Sequence, residues 1–156
     1  MASRLSEKVC IITGTGGGMG RQAALTFARE GALVVGCGLY VEDAEATVAG
    51  VRAAGGTMVS MQPGDLTKAA DCQALVDFAA RTHGRIDVLF SNAAIAYFNW
   101  IEDISEWDCS RRSEVDLVFY LTRAAWPHLP SWNACACFSG RRAITHYKGR
   151  PFWRRF

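Results

Sequence analysis

The chain has 156 residues, half of them apolar, and a formal net charge of +2. That length allows one domain with a sizeable core and is short for two. Composition excludes a collagenous or low-complexity chain, and the six cysteines lack the spacing of a small secreted disulfide scaffold or of paired zinc knuckles, so a reduced, cytoplasmic setting and no metal site are expected.

Charge is unevenly distributed. Residues 1–140 carry all 15 acidic side chains and 11 of the 17 basic ones, and no Asp or Glu follows Asp116. The segment 141–156 holds six basic residues and no acidic one. The opening residues lack the apolar core of a secretory signal, and no apolar run reaches membrane-spanning length, so no membrane partner is expected.

In chain order, residues 8–13 (KVCIIT) are short, β-branched and followed by glycines, which predicts a buried strand. MGRQAALTFAREG (19–31) then shows apolar residues at helical spacing. The alternation continues with a strand at 32–39, a helix at 42–56, a strand at 57–62, a helix over roughly 68–83 and a strand at 85–93. Parallel strands need crossovers, and helices of this length supply them, so the pattern predicts an α/β, Rossmann-like doubly wound parallel sheet of about four to five strands. A further helix is expected from about 104 to 126, with Trp107, Val115, Val118, Phe119, Leu121 and Ala125 as an apolar stripe for the core or for a homo-oligomer contact. NACACF (133–138) reads as one more strand, and the rest has no assignable period. The expected organisation is therefore a dinucleotide-binding domain over 1–130 and an irregular basic tail over 131–156. Six charges in that tail make a nucleic-acid contact conceivable, but it is not the expected partner.

The segment TGTGGGMG (13–20) contains five glycines in eight residues. A strand turning sharply into a helix leaves the first helical N–H groups unpaired at the positive end of the helix dipole, which makes an anion site. Glycines remove the Cβ atoms that would keep a diphosphate from the backbone. No Lys-Ser/Thr pair follows, which argues against a Walker-type loop.

Thr13-Gly14-x3-Gly18-x-Gly20, then GDLT with Asp65 after the third strand and SNAA with Asn92 after the fourth, resemble the short-chain dehydrogenase/reductase family over about residues 5–130. The resemblance implies an NAD(P)-dependent oxidoreductase acting on a small alcohol or carbonyl substrate. It places Thr13, Gly14, Gly16, Gly18, Met19 and Gly20 around the cofactor pyrophosphate, Asp65 and Leu66 near the adenine, and Asn92, Ala93 and Ala94 along the opposite wall. Asp65 has a second reading as a helix cap, and Asn92 as a group that satisfies its strand end.

Two departures stand out. Gly38 occupies the position where the family carries the acid that bonds the ribose of NAD, and the glycine loop contains no basic residue for the NADP phosphate. Arg21 is expected on the outward helix face, and Glu42 or Asp43 would substitute for the acid only if the turn bends back. NAD and NADP are both left open, with weakened and equal binding expected.

The family's catalytic pair is a Tyr and a Lys four residues later, one helical turn apart, so that the ammonium lowers the phenol pKa. The residues four positions after Tyr40, Tyr97, Tyr120 and Tyr147 are Ala44, Ile101, Ala124 and Pro151. No complete catalytic set is expected. Ser139 and Glu114 are the weak candidates, Glu114 because counting back from Phe119 puts it where the family carries a supporting Asn. The sequence reads as a truncated or frame-shifted member that is association-prone and inactive alone, with a non-catalytic dinucleotide-binding or subunit-interaction module as the alternative.

Overall fold

The computed structural model describes residues 3–94 and 115–129, together with the backbone of 134–139 and 142–147. Among these, β1 (Val9–Thr13), α1 (Gly18–Arg29), β2 (Leu33–Cys37), α2 (Val41–Ala53), β3 (Thr57–Met61), α3 (Ala69–His83), β4 (Val88–Ser91), α4 (Leu117–Ala125), β5 (Ala134–Ser139) and β6 (Arg142–Tyr147) follow in sequence. The strands form one sheet in the order β3-β2-β1-β4-β5-β6. All pairs are parallel except β5 with β6. Strand order reverses between β1 and β4, so the chain winds outward in both directions from β1.

Strand side chains alternate between two cores, as a pleated ribbon covered on both faces requires. Val9, Ile11, Val35 and Leu89 join Leu75, Val76 and Leu121 on the α3–α4 face. Cys10, Ile12, Val34 and Met58 join Ala24, Ala28 and Val51 on the α1–α2 face. Small residues on α1 let that helix lie close to the sheet.

At the foot of the sheet the Asp87 carboxylate, with a side chain only 1% exposed, accepts the Val9 N–H at 3.0 Å and pairs with Arg85 and with Lys8 at 3.6 Å. Burial works to raise this carboxyl, but the Arg85 and Val9 hydrogen bonds and the Arg85 and Lys8 charges outweigh it and hold it below the ordinary Asp value. At one end of the sheet order, β3 is an edge strand among the described residues, and the Arg52 guanidinium donates to its Met58 carbonyl at 3.3 Å. This covers part of a row of groups that would otherwise invite pairing.

Three expectations change. Val115 and Phe119 are more than half exposed, while Leu117, Val118, Leu121, Ala124 and Ala125 make the buried face of α4; Trp107 lies outside the described residues. The segment without assignable period contains β6. Only residues 140 and 141 separate β5 from β6, too few for a crossover, so β6 returns antiparallel as a hairpin. Arg21 faces α2 and the glycine loop, because Gly16 O, Thr47 Oγ1 and Asp43 O all lie within its reach.

Candidate functional site

Beyond the carboxyl ends of β1, β2 and β4 lies a cleft of about 670 Å³, within the range of small-molecule sites. Beneath its wall lies Thr13, which is fully buried. The Thr13 Oγ1 accepts the backbone N–H groups of Asn92 at 3.0 Å and Ala93 at 2.9 Å, and the Asn92 side-chain amide donates to the Thr13 carbonyl at 3.1 Å. One hydroxyl thus ties the end of β4 to the end of β1. Thr13 does not itself line the cleft; it fixes the wall made by Asn92, Ala93 and Ala94.

The chain then leaves β1 through Gly14, whose φ of +72° L side chains rarely adopt, and whose missing Cβ would sit 3.1 Å from the Ala93 Cα. The N–H groups of Gly14 and Thr15 both donate to the Cys37 carbonyl, which anchors the loop to β2. Gly16, Gly17 and Met19 line the cleft, whereas Gly18 and Gly20 do not. A Cβ on Gly20 would fall 2.0 Å from the Gly14 carbonyl oxygen, so the absence of a side chain here lets α1 pack closely on the loop. A Cβ at Gly17 or Gly18 would meet nothing within 4 Å.

α1 starts with no side-chain cap at Gly17 and no acidic residue in its first turn. Orphan N–H groups and the positive end of the α1 dipole therefore meet a loop whose own side chain, Thr15, is buried, which suits an anion such as a diphosphate.

On the other side, Gly38, Leu39 and Tyr40 line the cleft after β2, with Gly64, Asp65, Leu66 and Thr67 after β3. Gly64 N–H donates to the Gly38 carbonyl at 3.0 Å, holding the two turns together. Asp65 does not cap α3, whose N-cap Lys68 has no side-chain cap hydrogen bond; in the turn before the helix its Oδ1 accepts the Thr67 hydroxyl at 2.6 Å and the Thr67 N–H at 3.2 Å, and its carboxylate pairs with Lys68 at 3.2 Å. The Thr67 hydroxyl, and after it the Lys68 hydrogen bond and charge, hold this carboxyl below the ordinary Asp value against a smaller desolvation effect. It is ionised at neutral pH and lies on the cleft wall.

Several lining residues were not expected from sequence: Cys37, Leu39, Tyr40, Gly64, Thr67 and Leu117. Leu39 and Tyr40 directly follow Gly38, and that adjacency was the one available signal for them. Burial pushes the Cys37 thiol up to about 12, so it is a protonated piece of the floor and no nucleophile. Of the two catalytic candidates, Ser139 is the last residue of β5 and Glu114 lies outside the described residues.

The strand order with a glycine turn at its reversal defines the class as a Rossmann-like α/β domain. The sequence profile of the short chain dehydrogenase family matches residues 8–135, and the chain belongs to that family. An uncharacterised oxidoreductase of Schizosaccharomyces pombe is 34% identical over 154 residues, an alignment covering 96% of this chain and 53% of the relative. The peroxisomal multifunctional enzyme type 2 of Mus musculus is 38% identical over 142 residues, 83% of this chain and 19% of that protein. Among solved structures, a hydroxysteroid dehydrogenase from Escherichia coli superposes with a TM-score of 0.74 at 32% identity, covering 81% of this chain and 54% of that one. A 7α-hydroxysteroid dehydrogenase complexed with NADH and 7-oxo glycochenodeoxycholic acid gives 0.75 at 31% identity, covering 81% and 50%. The chain spans about half the length of these dehydrogenases and of the S. pombe relative.

Proposed function

We propose that the cleft holds a nicotinamide dinucleotide, and that the chain is the cofactor-binding half of an oxidoreductase acting on alcohol or carbonyl groups. The observation that carries this reading is the uncapped, acid-free start of α1 behind a glycine loop whose own side chain, Thr15, is buried. Gly14, Gly16 and Gly17 would face the pyrophosphate. Leu39, Tyr40, Asp65 and Leu66 would border the adenine and its ribose, and Asn92, Ala93 and Ala94 would close the nicotinamide side. Support also comes from the neighbour solved with NADH, which has the same fold over 81% of this chain.

The nicotinamide, when bound, supplies the hydride chemistry. The residues of this chain bind and orient it: Thr13 keeps the Asn92–Ala94 wall in place, and Cys37 and Leu117 make an apolar floor that excludes water. No described residue of the cleft offers a phenol positioned by a lysine, so the described residues supply no proton donor to a developing alkoxide. We therefore read the chain as binding cofactor without turning over substrate on its own. Calorimetric titration with NADH, followed by an absorbance assay with NADH and a panel of ketones, tests both parts. Saturable binding without carbonyl-dependent oxidation is expected; absence of binding to a folded sample would overturn the first part, and steady turnover the second.

A second reading, a subunit-interaction role, rests on α4. Val115 is 58% and Phe119 56% exposed on a helix whose opposite face is fully packed. These side chains suit a second copy of this chain, and Phe119→Glu is expected to lower the association state measured by analytical ultracentrifugation while leaving the fold intact. An unchanged sedimentation profile would remove α4 from the interface.

A further inference from the structure

Gly38 leaves the end of β2 without the acid that would read a ribose, yet the cleft is not without one. The turn after β2 brings the first turn of α2 back over the glycine loop, and Asp43 lines the cleft while Glu42 does not. The approach is close: a Cβ on Gly16 would sit 3.2 Å from the Asp43 Cβ. A side chain at position 16 would push Asp43 away.

The backbone at Asp43 is held by a small network. The Arg21 guanidinium donates to the Gly16 carbonyl at 2.7 Å, to Thr47 Oγ1 at 3.0 Å and to the Asp43 carbonyl at 3.4 Å. The Thr47 hydroxyl lies 2.7 Å from the Thr15 carbonyl and 3.1 Å from the Asp43 carbonyl, with donor geometry to both. The backbone of α2 is thereby tied to the glycine loop at Thr15 and Gly16, and the Asp43 carboxylate, with a side chain 60% exposed, remains open to the cleft mouth. Its nearest cation is Arg21, at 4.0 Å, beyond a direct hydrogen bond and already engaged with Gly16 and Thr47.

The charge of the cleft follows. None of the described residues lining it is a Lys or Arg, and two of them, Asp43 and Asp65, are acids. Lys68 is paired with Asp65. A carboxylate accepts hydrogen bonds from a ribose diol and repels a phosphate placed on the same carbon.

We propose that Asp43, held over the glycine loop by Arg21 and Thr47, reads the adenosine ribose and makes this cleft select NAD(H) over NADP(H). The inference rests on the dinucleotide reading above and adds the form of the dinucleotide. It replaces the expectation of equal affinity for the two cofactors, because the acid missing at Gly38 is supplied by a different residue of the same cleft, in the first turn of α2.

The test is a pair of calorimetric titrations, NADH and NADPH, on the wild type, Asp43→Asn, Asp43→Glu and Glu42→Gln, with circular dichroism confirming the fold of each. The wild type is expected to bind NADH at least about tenfold more tightly than NADPH, a difference of about 1.4 kcal/mol. Asp43→Asn is expected to bring that ratio to about threefold or less, mostly by improving NADPH. Glu42→Gln removes the same charge from the same helical turn outside the cleft and is expected to leave the ratio unchanged, and Asp43→Glu to keep its direction. Equal wild-type affinities, tighter NADPH binding, or an Asp43→Asn ratio equal to wild type would each overturn the assignment while leaving the dinucleotide reading intact. Failure of a folded wild type to bind either cofactor would overturn both.

Discussion

Thr13 shows how one side chain can matter to a site it never touches. Its buried hydroxyl accepts two N–H groups from the β4 end, so Thr13→Val keeps the shape and leaves both donors unpaired. A loss of about 2–4 kcal/mol is expected, with a weaker grip on cofactor, and urea denaturation monitored by circular dichroism measures it. Gly20→Ala acts through sterics instead, because its Cβ would overlap a backbone oxygen that cannot move without displacing α1. A loss of about 1–3 kcal/mol or more is expected, the scale of overpacking elsewhere in proteins. Both residues belong to the motif that identified the site from sequence, yet neither lines the cleft. A motif records which residues the local geometry requires, and it does not separate those that contact a ligand from those that let the backbone reach it.

At the scale of elements, β1 and β4 are joined at both ends, by Thr13 at the cleft and by Asp87 at the foot. The folded-state value of Asp87 is depressed. Its contribution to stability is therefore fully present above the unfolded Asp value, about 3.9, and is lost as pH falls through the lower folded value. Thermal unfolding between pH 3 and 7 is expected to show this fall at the acid end, and Asp87→Asn to flatten that part of the curve; an unchanged slope would mean that other carboxylates carry it. The first four strands and three helices were legible because each has a clear period and a glycine or polar boundary. Arg21 was not, since helical spacing alone could not say that α2 would fold back beside α1 and turn that face inward. Arg21→Met removes the link between α2 and the glycine loop. A loss of about 1 kcal/mol is expected for this partly exposed group, read as a small drop in Tm with a larger drop in cofactor affinity.

For the molecule as a whole, the sheet order and the two cores follow from the alternation of strands and helices, and the cleft from where that alternation reverses direction. The late elements were less legible for a physical reason. β6 is held by backbone pairing to β5 across a short connection, which needs no period in the side chains, and its sequence carries none. The exposed side of α4 was left open between core and subunit contact, because an apolar stripe does not say which of its members meet the core and which meet solvent or another subunit. No helix among the described residues is long and apolar enough to cross a membrane.

The central claim is that a nicotinamide dinucleotide sits beyond the carboxyl ends of β1, β2 and β4. Amide chemical-shift mapping during an NADH titration of the isotopically labelled chain tests it most directly. The account predicts saturable shifts at Gly14, Gly16, Gly17, Asp65, Asn92 and Ala93, with Asp87 and the β3 edge unmoved. Shifts centred on the foot of the sheet or on the β3 edge, or none at all in a folded sample, would contradict it.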